Sequence, residues 1–308
     1  MHTVLAGGVG AARYLRGALE AFDPATVTAV VNVADDVVLH GLHISPDLDT
    51  CTYTLAGAID PERGWGLVDE SWQAMAELGR YGGDNWFSLG DRDLGTHLFR
   101  TTRVHDGARL TTVTAEIAAA WNLQCRLLPV TDDRVETRVT LVDGTEIGFQ
   151  EYFVRLAHSV EVTAVRFDGA DSASPSPEAL DAITDAESLV IAPSNPIVSI
   201  GPILAIAGVT EALTARRERT VAVSPIIGGA ALKGPADRML RELGEESSVV
   251  GVARRYRDLA ATLVIDEVDA ALAPEVEAAG MRAIVMPTIM SRPGVAAALA
   301  TACAEACR

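Results

Sequence analysis

The segment Thr3-Val4-Leu5-Ala6-Gly7-Gly8-Val9-Gly10 decides how this chain begins to fold. Its first four residues are typical of a short buried strand, and the glycines after them favour a tight turn. Residues 11–22 have apolar side chains at helical spacing, and residues 26–33 form a second, valine-rich run typical of a parallel strand covered on both faces. The order strand, glycine turn, helix, strand predicts a βαβ unit.

The second half of the chain alternates in the same way. Residues 170–177 are rich in Ser, Pro and Asp, which is typical of a solvent loop, and residues 178–183 predict a helix. Five short apolar runs predict further strands, at residues 188–192, 220–224, 248–252, 263–265 and 282–285. Helical patterns fit between most of them. This alternation predicts an α/β fold, with a Rossmann-like, doubly wound and mostly parallel sheet.

The middle of the chain departs from that alternation. Helical spacing recurs at residues 67–78, 94–103 and 111–122. Extended runs follow at residues 135–142 and 145–153, and the dipeptide Asp143-Gly144 between them is favoured in type I′ hairpin turns. We therefore expect a single α/β nucleotide-binding domain over residues 1–308, with an inserted, cap-like helical and hairpin section at about residues 67–170.

The composition excludes several classes of protein. The chain has 308 residues, of which 49% are apolar, so it can bury a large core and is neither disordered nor a disulfide-stapled miniprotein. A formal charge of −17 disfavours nucleic acid and anionic membranes as partners. Small anionic ligands are compatible with this charge, because backbone amides, a few basic side chains or a divalent cation can offset it locally.

The location of the protein is predicted from its cysteines and its apolar segments. The four cysteines form no CxxC pair, which gives no zinc knuckle or redox dithiol and favours a reducing compartment. The first apolar stretch is too short for a signal peptide and has no Lys or Arg before it. No run approaches the roughly 20 apolar residues of a spanning helix. We expect a cytoplasmic protein with no membrane partner.

The glycine loop Gly7-Gly8-Val9-Gly10 stands where an open α/β sheet binds phosphates. Glycine lets the backbone approach an oxyanion, and the first N–H groups of the following helix are free to donate. The loop is not a Walker A motif, because no Lys-Ser/Thr follows, and the incomplete GxGxxG spacing gives little support to a dinucleotide site. A turn needed only for packing is the alternative.

Acidic residues follow the second predicted strand. The run Asn32-Val33-Ala34-Asp35-Asp36 ends that strand, and Asp47-Leu48-Asp49 comes about a dozen residues later. Carboxylates at strand ends face the ligand crevice in this architecture, and Mg²⁺ prefers oxygen ligands. Asp35, Asp36 and Asp47 are therefore candidate metal ligands. The alternatives are a solvated turn at Asp35-Asp36 and an ordinary loop at Asp47.

Polar turns recur at other predicted junctions. Ser194-Asn195 and Gly228 each follow a predicted strand, and Lys233 comes shortly after the second of them. Ordinary turns also use such residues, but their recurrence at the ends of successive strands favours a nucleotide site. The run Gly90-Asp91-Arg92-Asp93 lies at a loop-to-helix junction, where Asp93 also suits an N-cap.

Six motifs occur together and in order along the chain. They are Leu5-Ala6-Gly7-Gly8-Val9-Gly10, Val31-Asn32-Val33-Ala34-Asp35-Asp36, Pro46-Asp47-Leu48-Asp49-Thr50, Leu89-Gly90-Asp91-Arg92-Asp93, Pro193-Ser194-Asn195-Pro196 and Ser224-Pro225-Ile226-Ile227-Gly228. This set resembles the 2-phospho-L-lactate transferase family of deazaflavin coenzyme (F-420) biosynthesis, from the first strand to at least Asp237. Arg63-Gly64-Trp65-Gly66 and Phe149-Gln150-Glu151 are similar to its actinobacterial branch.

The resemblance implies a magnesium-dependent transfer. The implied donor is a guanosine diphospho compound that carries enolpyruvate or lactate, with enolpyruvate expected in the actinobacterial branch. The implied acceptor is the ribityl hydroxyl of 7,8-didemethyl-8-hydroxy-5-deazariboflavin, called Fo, and the products are a phosphodiester, the (dehydro) coenzyme F-420-0, and GMP. Relatives in the family are often dimeric, so a homodimer is expected.

The resemblance also implies roles for particular residues. It places Fo on Asp49, which would orient or deprotonate the hydroxyl, and we extend this acceptor site to Arg92 and Asp91. The donor is expected on a larger set of residues: Gly7, Gly8, Val9, Gly10, Asn32, Ser194, Asn195, Gly228 and Lys233. The metal is expected on Asp35, Asp36 and Asp47. No Cys or His is an obvious nucleophile.

Two functions from other classes stay open on the sequence. A nicotinamide-dependent dehydrogenase would use the first glycine loop, but would ordinarily show the complete glycine fingerprint and an acid for the ribose after the second strand. A non-catalytic nucleotide-binding regulator of the related gluconeogenesis-factor type shares the Gly-Gly-Val-Gly opening and the Pro-Ser-Asn-Pro turn. Asp91, Arg92 and Asp49 do not by themselves exclude it.

Overall fold

A seven-stranded parallel sheet forms the centre of the fold in the computed structural model, which describes every residue from Met1 to Arg308. The strands, in chain order, are β1 (His2–Ala6), β2 (Val27–Val31), β3 (Val37–Leu39), β4 (Leu42–Ile44), β5 (Arg126–Pro129), β6 (Glu136–Leu141), β7 (Glu146–Gly148), β8 (Val162–Asp168), β9 (Ser188–Ile191), β10 (Thr220–Val223), β11 (Ile226–Ile227), β12 (Ala230–Ala231), β13 (Thr262–Ile265) and β14 (Arg282–Val285).

Twelve α-helices connect or cover these strands. In chain order they are α1 (Gly8–Ala21), α2 (Pro46–Leu55), α3 (Gln73–Arg80), α4 (Asp93–His105), α5 (Leu110–Ala120), α6 (Pro177–Thr184), α7 (Gly201–Ala205), α8 (Val209–Ala215), α9 (Ala236–Glu242), α10 (Val249–Tyr256), α11 (Ala273–Ala278) and α12 (Val295–Ala306). Two π-helical turns, Glu151–Arg155 and Pro196–Ile200, add to them.

The order of the central strands creates the ligand crevice. The sheet runs β14-β13-β10-β9-β1-β2-β5, and all of its pairings are parallel. The chain therefore winds outward in one direction through β2 and β5 and in the other from β9 to β14. The direction reverses between β1 and β9, and a crevice opens at the carboxyl ends of the strands at such a point. The predicted Rossmann-like, doubly wound sheet is confirmed.

Burial explains why the central strands read as continuous apolar runs. Every residue of β2, β9, β10 and β13 is buried, because helices cover both faces of the sheet. One cluster of 67 buried residues joins the sheet to its helices and forms the core. The predicted βαβ opening corresponds to β1, α1 and β2.

The predicted insertion at about residues 67–170 is not a single outgrowth. One of its segments, β5, pairs with β2 and forms an edge of the central sheet. A separate three-stranded antiparallel sheet, β7-β6-β8, contains the predicted hairpin. The helices α3 and α4 precede β5, and the antiparallel sheet follows it. Two separate segments therefore flank one strand of the central sheet.

The structure corrects the predicted hairpin in two respects. Its second arm is strand only over Glu146–Gly148, and a helical turn at Glu151–Arg155 replaces the end of the run at 145–153. Its turn is not type I′, which needs a positive φ at both central residues, because the central residues are Val142 and Asp143 and neither has a positive φ; Gly144, which follows them, has φ +84°. The N–H of Gly144 donates to the carbonyl of Leu141 at 2.9 Å.

Two further predicted elements are wrong. The run at 248–252 is the start of helix α10, because the Ser248 hydroxyl accepts from the N–H groups of Val250 and Gly251 and so begins a helix. A short apolar run does not by itself distinguish a strand from a buried helix. The helix predicted at 67–78 begins only at Gln73, because the preceding segment bridges back from Leu67 to Ile59.

No single helix is long and apolar enough to cross a membrane. The segments Pro196–Ala205 and Val209–Ala215 reach the required length and composition only as a pair, with a bend of 95° between them.

The close approach of α1 to the loop after β9 generates a stability prediction. A Cβ added at Gly10 would lie 2.1 Å from the carbonyl oxygen of Pro193, and both partners are backbone, so neither can move freely. Gly10→Ala should therefore lower the melting temperature by several degrees, corresponding to about 1–3 kcal/mol of overpacking, although alanine is the better helix former.

Gly95 provides the matched control for this substitution. It lies in helix α4 and a Cβ added there would meet nothing within 4 Å. Gly95→Ala should raise the melting temperature slightly, because only the helix propensity changes. Equal melting shifts in the two variants would contradict the close approach at Gly10.

Candidate active site

A cavity of about 670 Å³ opens at the carboxyl ends of the central strands. Its wall includes the glycine loop after β1, the turn after β9 and the segment that follows β10. The first two turns of α2 and the loop around Trp65 contribute further residues. The cavity therefore lies at the point where the winding direction of the sheet reverses.

The glycine loop is shaped by close backbone contacts. Gly7 precedes helix α1, and a Cβ added there would lie 2.7 Å from the Cβ of Ser199. Gly8 has φ +69°, a conformation that L side chains rarely adopt. Gly7, Gly8, Val9 and Gly10 all line the cavity, so the start of α1, the end of a helix that favours anions, borders it.

Asp47 is bound to the glycine loop and to the end of β2. One oxygen of its buried carboxylate accepts from the N–H of Gly8 at 2.8 Å, and the other accepts from the Asn32 amide at 2.9 Å. Asn32 does not line the cavity; it lies behind the wall and orients Asp47. Asn32 was predicted to bind the donor, and in the structure its amide contacts Asp47 instead of lining the cavity.

Asp35 and Asp47 form an uncompensated acidic pair in the cavity wall. Asp35 is buried, and its Oδ1 has no hydrogen-bond partner. Burial raises the pKa of Asp35 well above its ordinary value, and the charge of Asp47 raises it further. Burial also raises the pKa of Asp47 to about 6, against the effect of its hydrogen bonds from Asn32 and Gly8.

This pair fits a magnesium ion. Carboxylate oxygens are the ligands that Mg²⁺ prefers, and one of these oxygens is buried without a partner. Burial is the main cause of both raised pKa values, and a divalent cation would offset the negative charge of the two buried carboxylates. Asp36, the third predicted ligand, is turned elsewhere: its Oδ2 accepts from the Ser45 hydroxyl at 2.6 Å and contacts His43 Nε2 at 2.9 Å, and it does not line the main cavity.

Asp49 is held by a buried arginine that the sequence analysis missed. Both guanidinium nitrogens of Arg100 donate to the Asp49 carboxylate, one of them to Oδ2 at 3.1 Å. Arg100 is 1% exposed and Asp49 is 5% exposed, yet Asp49 lines the cavity. Burial raises the pKa of Asp49, and the charge of Arg100 opposes that rise. The bidentate pairing fixes the orientation of the carboxylate.

A polar network surrounds this ion pair. The ring of His97 lies between Asp49, with Nδ1 3.7 Å from Oδ2, and Asp93, with Nε2 3.3 Å from Oδ2. The Tyr53 hydroxyl donates to Asp93 at 2.5 Å. Burial alone would raise the pKa of Asp93, but the bonds from His97 and Tyr53 outweigh it and lower the pKa.

The network also satisfies the spacing of a metal site. One ligand atom from each of Asp49, Asp93 and His97 lies within 4.8 Å of the others. Arg100 already occupies both oxygens of Asp49, however, so the positive charge there comes from a guanidinium. No such cation is paired with Asp35 and Asp47, so these two carboxylates are the better candidates for holding Mg²⁺.

Four of the residues expected to bind the donor, Ser194, Asn195, Gly228 and Lys233, are only partly brought together. Ser194 and Asn195 line the cavity; the Asn195 side chain accepts from the N–H of Ile197 at 2.9 Å, and the Ser194 hydroxyl is buried without a partner. Lys233 lines the cavity and is exposed. Gly228 does not line it, and its N–H donates to the Asp269 carboxylate.

Asp91 and Arg92 lie outside the cavity wall. The Asp91 carboxylate accepts from the Ser71 hydroxyl and from the N–H groups at the start of α3, and the Ser71 bond is the main cause of its lowered pKa. The Arg92 guanidinium donates to the carbonyl of Val68 at 2.6 Å. In this structure both residues fasten the α3–α4 region together.

The residues that were missed carried a detectable signal. Asp93, His97 and Arg100 are spaced four and then three residues apart, which places them on one face of α4. A polar stripe of this kind on a helix that packs against an acidic segment indicates a buried network. Arg13, in the first half of α1, also lines the cavity and adds a positive charge near the glycine loop.

A family comparison decides between the alternatives left by the sequence. The sequence profile described as 2-phospho-L-lactate transferase CofD matches residues 3–288. The chain belongs to this family. It is a transferase of coenzyme F-420 biosynthesis. The matched residues include the acidic pair and the Asp49 network.

Curated relatives agree with the family assignment. A protein named phosphoenolpyruvate transferase from Streptomyces griseus is 47% identical over 302 residues, covering 96% of this chain and 95% of the relative. Proteins of the same name from Mycobacterium avium and Mycobacterium tuberculosis are 43% and 46% identical, covering 97% and 86% of this chain and 96% and 86% of the relatives.

Solved structures support the fold alone. A protein from Bacillus halodurans described as a member of the UPF0052 family has a TM-score of 0.64 to this chain, and 98% of each chain is covered. Its sequence identity is 20%, so the likeness shows a shared architecture and nothing about the reaction.

The acidic pair generates a prediction about stability. Asp35→Asn removes one of two mutually repelling buried carboxylates, whose raised pKa values mean that ionisation costs the folded state stability as the pH rises. At pH 7 without divalent metal, the variant should melt about 3 °C or more above the parent. Added Mg²⁺ should raise the melting temperature of the parent more than that of the variant.

Asp36→Asn is the matched control. Asp36 accepts hydrogen bonds from Ser45 and His43, so this substitution removes favourable contacts and should lower the melting temperature. A lower melting temperature in Asp35→Asn as well would show that Asp35 stabilises the fold and would contradict the uncompensated pair.

Proposed function

We propose that this chain transfers the phosphoenolpyruvyl group, or the phospholactyl group, from a guanosine diphospho donor to the ribityl hydroxyl of Fo. The reaction uses Mg²⁺, releases GMP and forms the (dehydro) coenzyme F-420-0. Family membership and the actinobacterial relatives named phosphoenolpyruvate transferase support the transfer and favour the enolpyruvyl donor. The observation that carries the proposal is an oriented carboxylate, Asp49, in the same cavity as a phosphate-type glycine loop and an acidic pair.

The donor is assigned to the side of the cavity nearest α1. The N–H groups at the start of α1 and the side chain of Arg13 supply positive potential for a diphosphate. Ser194, Asn195 and Lys233 are assigned to the guanosine part, and the buried Ser194 hydroxyl has a free bond to offer. The diphosphate would thus lie across the point where the sheet reverses.

The acidic pair holds the metal in this proposal. Asp35 and Asp47 would ligate Mg²⁺, and the ion would neutralise phosphate charge that would otherwise repel the incoming hydroxyl. Asn32 and the N–H of Gly8 keep the Asp47 carboxylate in place. This arrangement ties the metal to the glycine loop through a single side chain.

Asp49 acts on the acceptor. The ribityl oxygen attacks the phosphorus that carries the three-carbon group, the bond from that phosphorus to GMP breaks, and GMP leaves with the electron pair. The hydroxyl proton passes to Asp49, which Arg100 holds in one orientation. Catalysis of this type depends mainly on positioning and on charge stabilisation, so a fixed carboxylate is more useful than a mobile one.

Lys233 provides a direct test of the donor site, because it is the only lysine of the chain. An amine-selective acetylating reagent therefore has two targets, Lys233 and the N-terminus. GDP with Mg²⁺ should slow acetylation of Lys233 by about 10-fold or more and leave the N-terminus unchanged, as measured by mass spectrometry. NAD should give no protection. Protection by NAD and none by GDP would favour the dehydrogenase instead.

Asp49→Asn tests the acceptor role. The amide keeps the shape of the side chain but loses the charge and the proton acceptor, so turnover should fall by about 10²-fold or more. GDP affinity, measured by calorimetry, should stay within about 3-fold of the parent, because the donor contacts are elsewhere.

The buried Arg100 requires a control in this experiment. Asp49→Asn alone leaves the guanidinium without its counter-charge, which costs stability. The double variant Asp49→Asn/Arg100→Gln restores the charge balance and should show the same loss of turnover with a higher melting temperature. Parental turnover in either folded variant would exclude Asp49 from the proton transfer.

A further inference from the structure

Trp65 is the only tryptophan in the wall of the main cavity, and the proposed roles do not use it. Its side chain is 44% exposed, although tryptophan carries a large apolar ring that folding usually buries. The segment Arg63-Gly64-Trp65-Gly66 is similar to the actinobacterial branch of the family, and the resemblance implies no role for it. An exposed ring inside a binding cavity is available to a ligand.

The loop that carries Trp65 is fastened at many points. The Asp60 carboxylate accepts from the N–H groups of Glu62 and Arg63, each at 2.9 Å, and the N–H of Gly64 donates to the Asp60 carbonyl at 2.8 Å. The N–H of Asp60 donates to the carbonyl of Gly66 at 3.0 Å, which closes the loop around the tryptophan. Trp65 is therefore presented by a rigid turn.

Arg63 fixes the ring itself. Its guanidinium lies 5.5 Å from the centroid of the Trp65 ring and 5.3 Å from that of Trp72, and it pairs with the Asp60 carboxylate at 2.9 Å. The two tryptophan rings meet edge to face, with centroids 5.9 Å apart. These contacts hold one side of Trp65 and leave the exposed part of the ring to the cavity. A ring ordered before binding loses little entropy when a flat ligand stacks on it.

The position of the loop indicates which flat group would stack there. The loop is anchored to the end of α2, because the N–H groups of Ala58 and Ile59 donate to the carbonyl of Tyr53, and α2 carries Asp49 in its first turn. Trp65 thus belongs to the same wall as the residue assigned to the acceptor hydroxyl. The side chain of Lys233 lies against this loop, since a Cβ added at Gly64 would lie 2.8 Å from the Lys233 Nζ.

We propose that Trp65 is the stacking platform for the fused aromatic ring of the acceptor, and that it determines specificity for a flat tricyclic acceptor. The inference rests on the proposed function, since it takes Fo as the acceptor. The ring of Fo lies against Trp65, its ribityl chain extends toward Asp49, and Lys233, which is assigned to the guanosine part of the donor, lies beside the loop that carries Trp65.

The test measures Fo and GDP binding separately in two variants of the whole chain. Trp65→Leu keeps an apolar side chain but removes the aromatic face, and Trp65→Phe retains a smaller aromatic face. Titration followed by Fo fluorescence should show an affinity about 10-fold or more weaker for Trp65→Leu and within about 3-fold of the parent for Trp65→Phe. GDP affinity, measured by calorimetry, should be unchanged in both variants.

Tyr81 supplies a control for the loss of an exposed aromatic ring. It is 84% exposed and does not line the cavity, so Tyr81→Leu should leave Fo binding at the parental value. Quenching of tryptophan emission by Fo gives a second readout in the protein that retains its fold: it should be strong in the parent and substantially reduced in Trp65→Phe.

Each result bears on a different claim. Unchanged Fo affinity in Trp65→Leu, with the parent binding Fo, would overturn the platform and leave the proposed function intact. Weakened GDP binding with unchanged Fo binding would assign the ring to guanine and would also overturn it. A parent that binds GDP but not Fo would overturn the proposed function itself, and the platform with it.

Discussion

The carboxylate of Asp47 joins the parts of the fold on which the site depends. It accepts from the N–H of Gly8, at the start of α1, and from Asn32, at the end of β2, while its own backbone belongs to α2. A glycine loop, a strand end and a helix are thereby held at fixed separation. The bonds are made inside a buried region, where an unpaired carboxylate is costly. The geometry of the site follows from satisfying this one side chain.

The buried carboxylates near the glycine loop carry negative charge that no side-chain cation balances, and a bound cation would balance it. Asp35 stands beside Asp47 without a hydrogen-bond partner on one oxygen, and burial together with mutual repulsion raises its pKa. A protein of charge −17 that handles an anionic donor needs local positive charge. The N–H groups of α1, the side chains of Arg13 and Lys233, and a cation on the acidic pair supply it in our account. On the acceptor side, the guanidinium of Arg100 supplies the positive charge that balances the Asp49 carboxylate.

Much of this arrangement could be predicted from the sequence, because it depends on short segments at strand ends. The glycine loop, Asp35 and the turn after β9 all lie where parallel strands end and line the cavity, and their positions could be predicted from the fold class alone. The burial of β2, β9 and β13 was likewise implied by continuous apolar runs. The strand predicted at 248–252 failed because the capping role of Ser248 was not considered.

Side-chain partners chosen across long separations could not be predicted in this way. Asp49 and Arg100 are 51 residues apart, and the spacing of Asp93, His97 and Arg100 indicates a polar face on α4 but not which acid that face contacts. Asp91 and Arg92 are charged residues of the kind that binding sites use, but they form hydrogen bonds with Ser71 and Val68. These bonds form because the segment before α3 folds back over Asp91 and Arg92. Strand β5 was missed because a short apolar run after a helix gives a weak signal, and only its pairing with β2 makes it part of the central sheet.

In the proposed reaction, one cavity brings a guanylated donor to a hydroxyl that the Asp49 carboxylate orients. The most direct measurement is incubation of the purified chain with Fo, Mg²⁺ and enolpyruvyl-diphospho-guanosine, followed by mass spectrometry of the products. The account predicts GMP and the Fo phosphodiester in equal amounts, and neither in the presence of excess chelator. Release of GMP without a phosphodiester would show that the donor is hydrolysed and not transferred. Full turnover in excess chelator would show that the reaction needs no metal. Either result would contradict the proposed reaction.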